Sequence, residues 1–116
     1  MIEVKNITKS FENIEAVRET DLTICAQNIF GLLGTNGAGK STLLRIMAGI
    51  LRPDRGEVLL DGERVWDNPA AKKKYFYISD DQFFFPNATA KDMASFYGKH
   101  YVKFDYARFE EMLGRF

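Results

Sequence analysis

Apolar side chains recur at every second position at the start of the chain, where Ile2 and Val4 alternate with Glu3 and Lys5. That period turns one face toward a core and the other toward water, so the opening residues read as a half-exposed strand. Phe11, Glu12 and Asn13 read as a turn. Residues 16–24 read as a second extended segment, with Val17, Leu22 and Ile24 facing inward. The pattern changes at Asn28-Ile29-Phe30-Gly31-Leu32-Leu33, where apolar residues run nearly unbroken. Such a run predicts a strand buried on both faces, as in a parallel sheet. From Ser41 to Ala48 the spacing becomes helical, with apolar residues at 43, 44, 47 and 48, and with Gly49 and Pro53 near and beyond its end.

The same reading carries through the second half. Pro53-Asp54-Arg55-Gly56 is a turn cluster. Glu57 to Leu60 follows as a strand, Asp61-Gly62 as a hairpin turn, and Arg64-Val65-Trp66 as a short returning strand. Asn68 or Asp67 caps a small helix through Lys74, with Pro69 at its first position. Tyr75 to Ser79, aromatic and then β-branched, is a strand candidate. Asp80 to Ala88 reads as a loop. Thr89 followed by Asp92 resembles a capping box that opens a helix to about Tyr101. Asp105 caps a further helix through Leu113, with Gly114 at its end.

The strand-to-helix junction carries the chemistry. Gly34-Thr35-Asn36-Gly37-Ala38-Gly39-Lys40-Ser41 fits the phosphate-binding pattern G-x-x-x-x-G-K-[ST], with Thr42 next. Glycines let main-chain N–H groups turn inward around a polyphosphate. Lys40 supplies positive charge for the β- and γ-phosphates, and the Ser41 hydroxyl suits Mg²⁺. A helix starting near Lys40 aims its free N–H groups at the same anion. The implied ligand is a nucleoside triphosphate with magnesium.

Composition narrows the class. The chain has 116 residues, which sets one domain as the default, with 46% hydrophobic residues as in globular proteins. Sixteen basic and sixteen acidic side chains cancel, which offers no case for a nucleic-acid surface. Lys72-Lys73-Lys74 reads as a solvated helix face. Cys25 is the only cysteine, so no intrachain disulfide and no Cys-based zinc site forms. It is expected as a small buried residue near a strand end, and a cytoplasmic setting fits. The N-terminus lacks a secretion signal's apolar core, and no stretch approaches a membrane span.

Taken in order, these markers resemble the nucleotide-binding domain of ABC transporters, with bacterial exporter-type ATPases as the nearest group. The resemblance runs over the whole chain. It rests on Ile29 to Leu44 around the phosphate loop, on Met47-Ala48-Gly49, and on Pro53-Asp54-Arg55-Gly56-Glu57-Val58. It implies an α/β P-loop NTPase fold with an antiparallel β layer at the N-terminus. Residues 1–80 would form the N-terminal part of the ATP-binding core. Residues 81–116 would form the glutamine-loop region and the start of an α-helical subdomain.

The resemblance also assigns roles. Phe11 would stack on adenine and Val17 would pack near the sugar and base. Asn36, Gly37, Ala38, Gly39, Lys40, Ser41 and Thr42 would hold the phosphates, with Ser41 on Mg²⁺. The family places a glutamine after the strand that here ends at Ile78-Ser79, to sense Mg²⁺ and the attacking water. Counting back from Pro86 puts that position on Asp80, with Gln82 as the alternative. Phe83, Phe84 and Phe85 would either contact a transmembrane permease or fill the core of the helical subdomain. His100 is expected as a helix-end residue, because the family's catalytic-site histidine lies far beyond it.

The implied activity is ATP hydrolysis coupled to transport, at the inner face of the cell membrane through partners. Those partners are a permease and a second ATP-binding domain, as homodimer or heterodimer. The acidic strand, signature motif and switch histidine would lie beyond Phe116, so the 116 residues alone would not be hydrolysis-competent. Two alternatives remain open: a soluble ABC-type ATPase unconnected to transport, or a piece that only binds nucleotide.

Overall fold

A computed structural model describes residues 1–34, 39–79 and 84–115. The chain divides into two compact units, Met1–Tyr77 and Ile78–Phe116. In the first, β1 (Ile2–Phe11) and β2 (Ile14–Ile24) form an antiparallel hairpin, and α1 spans Lys40–Met47. β3 (Arg55–Leu60), β4 (Glu63–Arg64) and α2 (Pro69–Lys72) follow. The sheet runs β2-β1-β3-β4, and every neighbouring pair is antiparallel.

Val4 and Val17, read from the sequence as inward, belong to the core, and Ile2 and Leu22 pack against it. Val4 and Ile7 of β1, Val17 of β2, Val58 of β3 and Val65 meet Leu43 and Ile46 of α1. Ile7, Ile46 and Val65 are wholly buried. Each such side chain contributes about 1.5–3 kcal/mol of hydrophobic stabilisation. So α1 lies against the sheet through Leu43 and Ile46; of the positions expected from the spacing, Leu43 is buried and Leu44 is exposed, while Ile46 was not among them.

β1 is longer than its first five residues suggested, because register shifts after Val4 let it continue past an irregularity. Asn6 has φ 51° there, and Glu19 opposite has φ 35°. The Asn6 amide donates to Asp21 Oδ1 at 2.8 Å and the Glu19 amide to Thr8 Oγ1 at 3.1 Å, so side chains replace lost ladder bonds. Gly56, at φ 83°, is where β3 enters this bulge. A Cβ there would lie 2.2 Å from the Lys5 carbonyl oxygen, so only glycine fits. Asp54 fastens the preceding turn to β1. Its amide donates to the Thr8 carbonyl at 2.8 Å, and its carboxylate accepts from the Ser10 amide at 2.8 Å and Lys9 Nζ at 3.2 Å.

Several expectations are corrected. Residues 28–34 and 75–79 belong to no strand. Ile29 and Leu33 are 103% and 93% exposed, the opposite of burial on both faces. A parallel strand needs neighbours supplied by a crossover, and the described residue run after α1 returns to the antiparallel layer instead. Tyr75 finds a different anchor, donating its hydroxyl to the Ala48 carbonyl at the end of α1 at 2.5 Å. Cys25, one residue past β2, is exposed rather than buried. The returning strand is Glu63–Arg64, with Val65 already turning into the core. Asn68, not Asp67, caps α2, accepting from the Ala71 amide at 3.3 Å.

In the second unit, α3 (Ala90–His100) opens with the expected capping box: Thr89 Oγ1 accepts from the Asp92 amide at 3.1 Å, and Asp92 Oδ2 from the Thr89 amide at 2.9 Å. Asp105 caps α4 (Tyr106–Leu113) through the Arg108 amide at 2.9 Å, and Gly114 closes it. His100 ends α3, with Nδ1 2.9 Å from the Phe96 carbonyl oxygen.

The Asp54 fastening gives a pH-dependent prediction. Its bonds from the Ser10 amide and then from Lys9 hold the carboxyl below the usual aspartate range. A lowered folded value means the contribution is complete above the unfolded value and is lost as pH falls through the folded one. Asp54→Asn is expected to lower the melting temperature at neutral pH. The difference from the parent chain should shrink as pH drops below about 4. Thermal melts across that range check it, and an undiminished difference at low pH would contradict the role.

Candidate functional site

The phosphate-loop motif is described at both ends. α1 begins at Lys40 with Gly39 as N-cap, in a left-handed conformation with φ 85° and no side-chain cap. The Leu43 amide donates to the Gly39 carbonyl at 2.9 Å and closes the first helical turn. Amides ahead of it have no carbonyl within the helix to bond. That arrangement suits an anion. Gly39 is forced by its surroundings as well: a Cβ would lie 2.1 Å from the Ala16 carbonyl oxygen of β2. The close approach pins the helix start to the hairpin.

Lys40 reaches back along the loop, and its ammonium donates to the Gly34 carbonyl. The first glycine and the lysine of the motif are thus joined across the loop's mouth. The motif spacing of six residues was the available signal for this contact, though the sequence reading did not draw it. Ser41 is exposed on the first turn and Thr42 half-buried. Asn36, Gly37 and Ala38 lie outside the described residues, as do Asp80, Gln82 and Phe83.

A concavity of about 190 Å³ borders this helix start, lined by Val17, Leu32, Gly39 and Lys40 among others. Val17 is also a buried core residue, so it serves packing whatever else it touches. Phe11 does not line that concavity. It stands at the last position of β1, 46% exposed, with Lys9 Nζ 5.4 Å from its ring centroid. Its ring therefore has a free aromatic surface beside a cation.

Among the described residues no cluster of three histidine, cysteine or acidic side chains could cage a metal. Mg²⁺ does not require one. It keeps several waters and takes one or two protein oxygens together with phosphate oxygens. The exposed Ser41 hydroxyl beside Lys40 fits that habit.

In the second unit, the Phe85 ring meets Phe96 of α3 edge to face at 5.0 Å, which partly covers it. Phe84 is 60% exposed and lines an apolar groove of about 400 Å³ with Met93, Tyr97, Phe104 and Phe109. Phe85, 39% exposed, keeps apolar surface despite its Phe96 contact, and Phe84 is more exposed still.

Comparison with known proteins places these features. A family model described as ABC transporter matches residues 17–116. The ABC transporter ATP-binding protein YtrB of Bacillus subtilis is 33% identical over 116 residues, covering 100% of this chain and 40% of that protein. The spermidine/putrescine import ATP-binding protein PotA of Nitrosomonas eutropha is 36% identical over 96 residues, covering 83% of this chain and 26% of that protein. A solved structure described as the ATP binding subunit of an ABC transporter superposes with a TM-score of 0.80 at 22% identity. It covers 95% of this chain and 46% of that one, and shows the fold. The chain therefore spans less than half the length of these relatives.

Gly39→Ala tests the pinning. The left-handed conformation and the Ala16 carbonyl both oppose a side chain, and such strain costs about 1–3 kcal/mol. Chemical denaturation should show that loss. Gly31→Ala is the control, because a Cβ there meets nothing within 4 Å. Equal stability of the two variants would remove the constraint assigned to Gly39.

Proposed function

The chain belongs to the ABC transporter family, and from that premise we propose that it is the nucleotide-gripping part of an ATP-binding subunit that takes Mg-ATP. The observation that carries this reading is Lys40. It sits on the first turn of α1, beside a glycine with no room for a side chain, and faces back to the start of the loop. Lys40 would exchange the Gly34 carbonyl for the β- and γ-phosphates, while the amides from Asn36 to Thr42 surround them. Ser41 would ligate Mg²⁺, which when bound neutralises charge between those phosphates. Phe11 would hold the adenine face, with Val17 beneath the sugar.

In the whole protein, hydrolysis is attack of a positioned water on the γ-phosphate, which needs polar groups that orient that water. We assign Asp80, with Gln82 as alternative, to the sensing of Mg²⁺ and that water. A second ATP-binding domain and a permease complete the proposed assembly at the inner membrane face. Phe83, Phe84 and Phe85 would be the contact with the permease, and the apolar groove around Phe84 supports that use. No helix among the described residues is long and apolar enough to cross a membrane. Exporter-type transport stands as the finer proposal, beside several relatives whose names denote import.

Lys40→Ala is expected to weaken Mg-ATP binding by about tenfold to a hundredfold, the worth of a lost charge-assisted hydrogen bond. Phe11→Ala should weaken ATP by about 1–3 kcal/mol and leave inorganic triphosphate nearly unchanged. Calorimetric titration reads both. Unaltered ATP affinity in the lysine variant would refute the site, and equal losses for the two ligands would refute stacking.

A further inference from the structure

A second basic concavity lies away from the phosphate loop. It measures about 510 Å³, and the turn after α1, β3 and Trp66 supply much of its wall. None of the residues assigned to nucleotide lines it. Four cationic side chains, Lys5, Arg52, Arg55 and Arg64, border it against two carboxylates, Asp54 and Glu57.

The charges are unevenly engaged. Asp54 is committed to Lys9 and the Ser10 amide, both outside the concavity. Arg64 lies 3.8 Å from Glu57 and Lys5 lies 3.6 Å from Glu3, loose pairs at exposed positions. Arg52 and Arg55 form no ion pair among the described residues. Positive charge is therefore in surplus on this wall.

The turn that carries the two free arginines is also held in place. Asp54 ties it to β1 at Thr8, Lys9 and Ser10. Gly56 is fixed by its close approach to the Lys5 and Asn6 carbonyls. A cation set presented by a pre-ordered turn loses less freedom when a ligand arrives. Guanidinium forks match phosphate oxygens in pairs, and their weak hydration lowers the cost of stripping water. Trp66 adds a half-buried aromatic wall.

We propose that this concavity binds a phosphate dianion, free or carried on a headgroup, through Arg52 and Arg55 with Lys5 and Arg64 assisting. Trp66 is the sole tryptophan, so its emission reports on the site directly. The experiment titrates inorganic phosphate into the Lys40→Ala chain, which separates this site from the phosphate loop. A saturable change in Trp66 fluorescence is expected. Arg52→Gln with Arg55→Gln should weaken it at least tenfold, and Arg52→Lys with Arg55→Lys should restore part of it. Circular dichroism confirms that these exposed changes leave the fold intact. A parallel arm measures co-sedimentation with phosphatidic acid vesicles against phosphatidylcholine vesicles. Response to inorganic phosphate identifies a free phosphate, and response to phosphatidic acid alone identifies a headgroup. No response in either arm, or equal affinity in the parent and the glutamine variant, overturns the proposal.

Discussion

The approach of α1 to the hairpin at one point governs the first unit. Gly39 and the Ala16 carbonyl are so close that no side chain fits between them. This contact sets where the helix starts, which way its open amides face, and where Lys40 emerges. Leu43 and Ile46 then enter the core one and two turns later, so packing and site geometry come from the same placement. A loop able to surround an anion is useful only when its two ends are held. Here β2 holds one end by this contact, and Lys40 gathers the other through the Gly34 carbonyl.

The antiparallel layer was legible because its signals are local. Alternation at Ile2 and Val4, the turn before β2 and the Asp61-Gly62 turn each act within a few residues. The caps were equally plain: Thr89 with Asp92, and Asp105, satisfy helix amides three residues away. The phosphate loop was legible for another reason, since its glycines and lysine stand at spacings that the ligand dictates. What failed was the reading of Asn28 to Leu33 and of Tyr75 to Ser79. The first has the composition of a strand buried in a parallel sheet and the second that of a strand, but composition expresses a preference for neighbours and cannot supply them. Cys25 failed for a related reason: it stands just past the paired part of β2 and is exposed.

The aromatic residues of the second unit divide by position. Phe96 lies on α3 and receives Phe85 edge to face, and Phe104 meets Tyr106 and Phe109 across the start of α4. The sequence showed three adjacent phenylalanines and could not say which turned inward, because a loop has no period to decide it. The basic concavity was hidden for a different reason. Lys5, Arg52, Arg55 and Arg64 are scattered along the chain, and pairing of β1 with β3 brings them to one wall. Zero net charge concealed a local surplus.

Pairing of β1 with β3 has a thermodynamic corollary. It joins strands on either side of residues 25–54, so the phosphate loop and α1 lie inside a segment whose ends the sheet ties together. Tying those ends costs chain entropy that grows with the freedom of the enclosed residues. A ligand that fixed the start of α1 would remove part of that freedom. Occupancy of the helix start by such a ligand and closure of the β layer would then be linked quantities, each favouring the other by the same amount.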